Sequence, residues 1–243
     1  RAELKQWAEA AMVKIIIAKE LRETLFSLKF ALTYGVGALL LLLSFYLGIQ
    51  GYKLNMARYE AAKAENVRKM EGHTDWMKVI NHRIFLPPTL LESLVNGVSN
   101  DIGRTIDMAD KGELTATGSR YSEDPVFAVF RFLDLHFIFR IVLSLFAILF
   151  AYDAVNGEKE RGTLRLTFSN GVNRGSYLLG KWCGSFLAVG VPLLVPICLG
   201  MLLIPIWGVG LSGKEWVKLA AVIGTGYLYL GVFLALSLLV SAS

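Results

Sequence analysis

Histidine, cysteine and charge are all scarce in this chain. It holds three His and two Cys among 243 residues, and 19% of its residues are charged. A soluble domain carries about 25%, so a single water-soluble globule is excluded. A hydrophobic share of 54% and a mean hydropathy of +0.50 exclude disorder. Cys183 and Cys198 share one apolar run, about 22 Å apart if that run is helical. They cannot bridge each other, there is no disulfide framework, and they do not report the redox compartment. His73 and His82 stand at no recognisable metal-ligand spacing. G-x-S-x-G, H-E-x-x-H and Cys/His clusters are missing, and the segment 51–131 has no N-x-S/T sequon.

A nucleotide loop is also missing, although one near-match occurs. Gly175-x4-Gly180-Lys181 has P-loop spacing, but Trp182 stands where Ser or Thr would reach Mg²⁺. Tyr177, Leu178 and Leu179 occupy positions that need small residues. ATP is expected to bind elsewhere, and Gly180-x3-Gly184 reads as a helix-packing pair.

The net charge of +5 is confined to short segments beside apolar runs. Residues 1–29 carry six Lys/Arg against four acids, 153–181 five against three, and 208–218 two against one; 51–131 is balanced at eleven each. That distribution is a topology signal and not a nucleic-acid face. The bias places the N-terminus and 153–181 in the cytoplasm, with 51–131 and 208–218 outside.

Four runs carry the membrane reading. Phe30–Ile49 is 20 residues without a charge, about 30 Å of helix. The first span is set at 30–50. Ile141–Tyr152 is only 12 residues long, so a span of 132–152 takes in Asp134, His136 and Arg140. Interfacial snorkelling and a role in a substrate path both remain open for these three, as does a membrane enzyme built on them. Trp182–Gly213 is 32 uncharged residues interrupted by Pro192, Pro196 and Pro205. It reads as a kinked helix over 182–207 that ends in a turn or re-entrant piece. Leu219–Ser243 supplies the fourth span, 219–243. The fold class is therefore mainly α, a polytopic helical membrane protein.

Leu4, Trp7, Ala11, Ile15, Ala18, Leu21, Leu25 and Leu28 recur at helical spacing before the first span. They predict an amphipathic helix within 1–29, either interfacial or packed on a partner. In the outer segment, Tyr52–Glu71 extends the first helix. Pro87–Pro88 then breaks the chain, and Arg104–Met108 and Leu114–Thr117 read as strands of a small α+β ectodomain.

The most informative stretch follows the second span. Asp153 opens it, Glu158-x-Glu160-Arg161-Gly162-Thr163-Leu164 follows, and Leu166 adds a second apolar step. Thr163 is placed to cap a short helix ending near Ser169–Gly171, which suits a groove on a soluble partner. Together with Arg174 and Gly180-Lys181, these residues resemble the permease subunits of the ABC-2 type transporter family. Lys19-Glu20-Leu21-Arg22-Glu23 before Phe30 is similar to that family's elbow. Gly171 departs from it, standing near a common Pro. The large outer segment is similar to the subgroup linked to copper-enzyme maturation and gliding motility.

The resemblance implies a plasma-membrane permease in a prokaryote, most readily an exporter, working with a second permease copy or a related one. The chain itself would bind no cofactor; ATP and Mg would sit on separate cytoplasmic ATPase subunits. A coupling helix at 158–168 would meet them, with Glu158, Glu160 and Arg161 as polar contacts and Leu164 and Leu166 as apolar ones. The family's six spans imply two further helices beyond the four seen. A rival from another class is a non-transporting scaffold or sensor whose ectodomain docks an envelope partner.

Overall fold

The computed structural model describes residues 2–71, 82–95, 105–108, 114–117, 134–169 and 172–243. Side chains of 2–9 and of the strand residues are outside this description, and so are His73 and Arg104. Among the described residues the chain is mainly helical, and four helices are long and apolar enough to cross a membrane.

Helix α1 is Ala2–Leu25 and α2 is Leu28–Met70. The break between them is chemical. The Ser27 hydroxyl donates to the Thr24 carbonyl at 2.8 Å and accepts from the Phe30 N–H at 3.1 Å, so it ends one helix and caps the next. The expected extension past the first span is present: α2 runs on without interruption for 43 residues, about 65 Å. Strands β1 (His82–Phe85), β2 (Thr105–Met108) and β3 (Leu114–Thr117) form an antiparallel sheet in the order β1-β2-β3. After Pro87–Pro88, α3 (Leu90–Leu94) starts where the Glu92 carboxylate accepts from the Thr89 N–H at 3.4 Å.

Helix α4 begins as Leu135–Phe137, passes through a π-helical turn at Ile138–Val142 and continues as Leu143–Ala151. The Ser144 hydroxyl bonds the carbonyls of Arg140 and Ile141 at 2.7 and 2.9 Å, satisfying acceptors within that turn. Two short helices follow, α5 (Asn156–Glu160) and α6 (Thr163–Ser169). Helix α7 is Arg174–Ile206 and α8 is Gly213–Ala242. Ser212 and Glu215 form reciprocal bonds at the start of α8, a capping box.

The third span is one continuous helix, and a turn follows it where one was expected, from Trp207 onward. Helix α7 passes through Pro192 and Pro196, and it starts at Arg174 rather than near Trp182. Pro196 has no N–H to give the Pro192 carbonyl four residues back. The Tyr34 hydroxyl of α2 donates to that carbonyl instead, at 3.4 Å. A turn at Trp207–Gly208, with Gly208 at φ 76°, ends the helix.

The contacts divide the chain into two units. In the first, Arg1–Leu42, Phe137–Leu199 and Val217–Ser243, aromatic donors lace α7 to α8. Trp182 Nε1 bonds the Gly231 carbonyl at 3.0 Å and Tyr227 Oη the Gly190 carbonyl at 2.8 Å. In the second, Leu43–His136 and Gly200–Trp216, Phe45 packs on Gly200, Leu94 on Gly48 and Tyr46 on Trp207.

Candidate functional site

Glu158 is the centre of a buried charge cluster. It lies on α5 and is 5% exposed. One oxygen accepts from Lys19 Nζ at 2.6 Å and lies 3.2 Å from Lys181 Nζ; the other accepts from Tyr177 Oη at 2.6 Å. Lys181 also bonds Glu20 and lies 5.5 Å from the centre of the Tyr177 ring. Two carboxylates therefore face two ammonium groups, with a phenol completing the shell. The pairing is what burial demands, since an uncompensated charge there would be prohibitive.

Three helices deliver these groups. Lys19 and Glu20 come from α1. Tyr177 and Lys181 are four residues apart on α7 and so share a face. Gly180 and Gly184, on the next positions of that face, let α1 approach. A Cβ at Gly180 would stand 2.9 Å from Ile16 Cγ2, and one at Gly184 2.6 Å from Glu20 Cβ. The Gly-x3-Gly pair is a packing surface, and 175–182 forms the first turns of α7.

The face of α1 that meets α7 is not the apolar stripe. Val13, Ile16 and Glu20 turn toward α7, while Ala11, Ile15 and Ala18 are exposed.

Burial disfavours the charged Glu20 more than Lys181 favours it, so its carboxyl titrates above the usual range. Lys19 shows the opposite balance. Burial acts against its charge, but the hydrogen bond to Glu158 and nearby carboxylates outweigh it and raise the ammonium above an ordinary lysine.

The segment 158–168 is not one helix. Helix α5 ends at Glu160 with Arg161 as its C-cap, and Gly162 takes φ 75°, the left-handed conformation that favours glycine at a helix C-terminus. Thr163 does not act as an N-cap. It is the first residue of α6, and its hydroxyl turns back to the Glu158 carbonyl at 3.3 Å. The N-terminus of α5 is closed from far away: Ser241 Oγ accepts from the N–H groups of Val155 and Asn156 at 3.1 and 3.2 Å.

The remaining expected residues divide by exposure. Glu160, Arg161, Gly162, Thr163, Arg174 and Arg22 are exposed, Leu164 is half-buried, and Leu166 is 68% exposed. Asp134 is buried, whereas His136 and Arg140 are exposed. Among the described residues no group of three or more His, Cys, Asp or Glu is placed to hold a metal. Tyr177 and Ser241 are the participants that the sequence reading missed. The i, i+4 pairing of Tyr177 with Lys181 was the available signal for the first; Ser241 carried none.

Residues 14–243 match the family described as ABC-2 family transporter protein. A stretch of 54 residues, 22% of this chain, is 43% identical to the "Probable ABC transporter permease protein NosY" of Stutzerimonas stutzeri. The protein of the same name from Pseudomonas aeruginosa matches equally over 54 residues. In each case the match spans about one fifth, 20%, of the relative's length. No solved structure matches. By a family match that takes in nearly its whole length, the chain belongs to the ABC-2 transporter family.

Proposed function

We propose that this chain is the membrane permease subunit of an ATP-driven exporter, coupled to a separate cytoplasmic ATPase through α5 and α6. The observation that carries the reading is the divided character of the loop. Glu158 is pinned to α1 and α7, while Glu160, Arg161 and Leu166 remain exposed on the same two short helices. Such a loop is anchored on one side and free to dock on the other. A push on α5 reaches α1 and α7 through charged contacts and α4 through the chain itself, a rigid-body transmission.

In this reading the N-terminus and the α5–α6 loop face the cytoplasm of a prokaryotic cell, and 51–131 forms a small outer α+β domain. ATP and Mg are held by the partner, and a second permease copy or a related one completes the pathway. Similarity to the NosY permeases supports the permease reading. The test is reconstitution in vesicles with candidate ABC ATPases from the same genome. Replacing Glu160 and Leu164 together should abolish both ATPase association and transport-stimulated ATP turnover. If both survive the double change, α5 and α6 are not the coupling element.

A further inference from the structure

Beside the Glu158 cluster lies a partly open cavity of about 140 Å³, enclosed by the end of α1, the start of α2, the end of α4 and the α5 helix. Its lining holds charges that the cluster does not use. Lys29 lies 5.8 Å from the Tyr152 ring centre, and Arg161 Nε donates to the Gly157 carbonyl at 3.0 Å. Among the described residues, no ion pair joins Lys29, Arg161 or Asp153 to another residue. Outside the cluster the lining thus holds two cations, Lys29 and Arg161, and two carboxylates, Asp153 and Glu23, with Asp153 Oδ1 and Arg161 Nη2 standing 2.8 and 3.2 Å from the point a Cβ on Gly157 would occupy. Leu149 and Phe150 supply an apolar side.

The place of these residues along the chain narrows the ligand. Lys29 directly precedes the uncharged run Phe30–Ile49, and Asp153 directly follows Ile141–Tyr152. Both mark the level at which an apolar helix leaves the hydrocarbon, where lipid headgroups lie. A phosphodiester suits Lys29 and Arg161, a primary ammonium suits Asp153, and the first acyl carbons suit Leu149 and Phe150. We infer that this cavity binds the headgroup of a phospholipid carrying a primary amine, as in phosphatidylethanolamine. The inference does not depend on the transport reading. A soluble aminoalkyl phosphate shares the polar chemistry but lacks the apolar half.

The experiment uses the full chain in detergent micelles. Binding of phosphatidylethanolamine, phosphatidylcholine, phosphatidylglycerol and soluble O-phosphoethanolamine is titrated and followed by native mass spectrometry. Phosphatidylethanolamine should bind about five- to tenfold more tightly than the other two lipids, the worth of one charge-assisted contact. Lys29→Gln and Arg161→Gln should each weaken it by a similar factor. Asp153→Asn should bring phosphatidylethanolamine and phosphatidylglycerol to near parity, whereas Lys53→Gln, about 36 Å further along α2, should change nothing. Circular dichroism of each variant establishes that it is folded. Equal binding of the three lipids, or an unchanged ranking in folded Asp153→Asn, overturns the site. Equal binding by soluble O-phosphoethanolamine overturns the lipid assignment.

Discussion

Replacing Lys181 with Met tests the charge cluster most directly, because it removes one charge and keeps most of the packing volume. Lys181 is 2% exposed and faces Glu158 at 3.2 Å and Glu20 more closely still. At an effective dielectric constant of about 20, the Glu158 contact alone amounts to about 5 kcal/mol of attraction. Most of that offsets desolvation, and breaking a buried pair costs about 3–5 kcal/mol net. Two features favour the lower end. Glu158 keeps Lys19 and Tyr177, both at 2.6 Å, and Glu20 already titrates high, so it can take up a proton when its partner is gone. A loss of about 3 kcal/mol lowers the melting temperature by roughly 6–12 °C in a chain of this size. Adding Glu20→Gln removes the stranded carboxylate and should restore about 1–2 kcal/mol. Thermal unfolding in detergent reads both. A single-variant shift below about 2 °C, or single losses that simply add in the double variant, would refute the reasoning.

Other substitutions probe the elements that support the cluster. Gly162→Ala places a Cβ at φ 75° and should cost about 1–2 kcal/mol, seen as faster proteolysis within 156–169. Ser241→Ala removes the acceptor for two α5 N–H groups and should cost about 1 kcal/mol, with faster amide exchange at Val155 and Asn156. Gly184→Leu should push α1 off α7, since even a Cβ there meets Glu20 at 2.6 Å; a disulfide formed by Ile16→Cys with Gly180→Cys should then fail to form. Lys19 is raised in the folded state, so its contribution is present below the ordinary lysine value and is lost as pH rises through the folded one. The stability gap between wild type and Lys19→Gln should stay level from about pH 6 to 9 and close in strongly alkaline solution. A gap that widens there reverses the sign of the linkage.

Hydropathy marked the four membrane helices because a run such as Phe30–Ile49 has no charge to place in hydrocarbon. Helix ends were less legible. Helix α7 starts at Arg174, since a helix does not stop where its polarity changes. The motif around Glu160–Leu164 pointed to the loop, and Glu20, Lys19 and Lys181 were singled out, but not as one cluster. Lys19 and Glu158 are 139 residues apart, and Glu20 and Lys181 161. No periodicity within one helix encodes contacts over such separations. Pro192 and Pro196 leave α7 continuous, because the carbonyl that Pro196 orphans finds its donor on another helix, at Tyr34.

The Ser241 cap imposes an order of assembly. The N–H groups it receives belong to residues made 85 and 86 positions earlier. At synthesis rates of about 5–20 residues per second, roughly 4–17 s pass between the first turn of α5 and the hydroxyl that closes it. During that interval α5 has open N–H groups and no contact with α8. The finished loop therefore appears only after α8 has been made and has packed, so a chain that stalls before α8 displays a loop that is visibly incomplete to any partner that reads its shape.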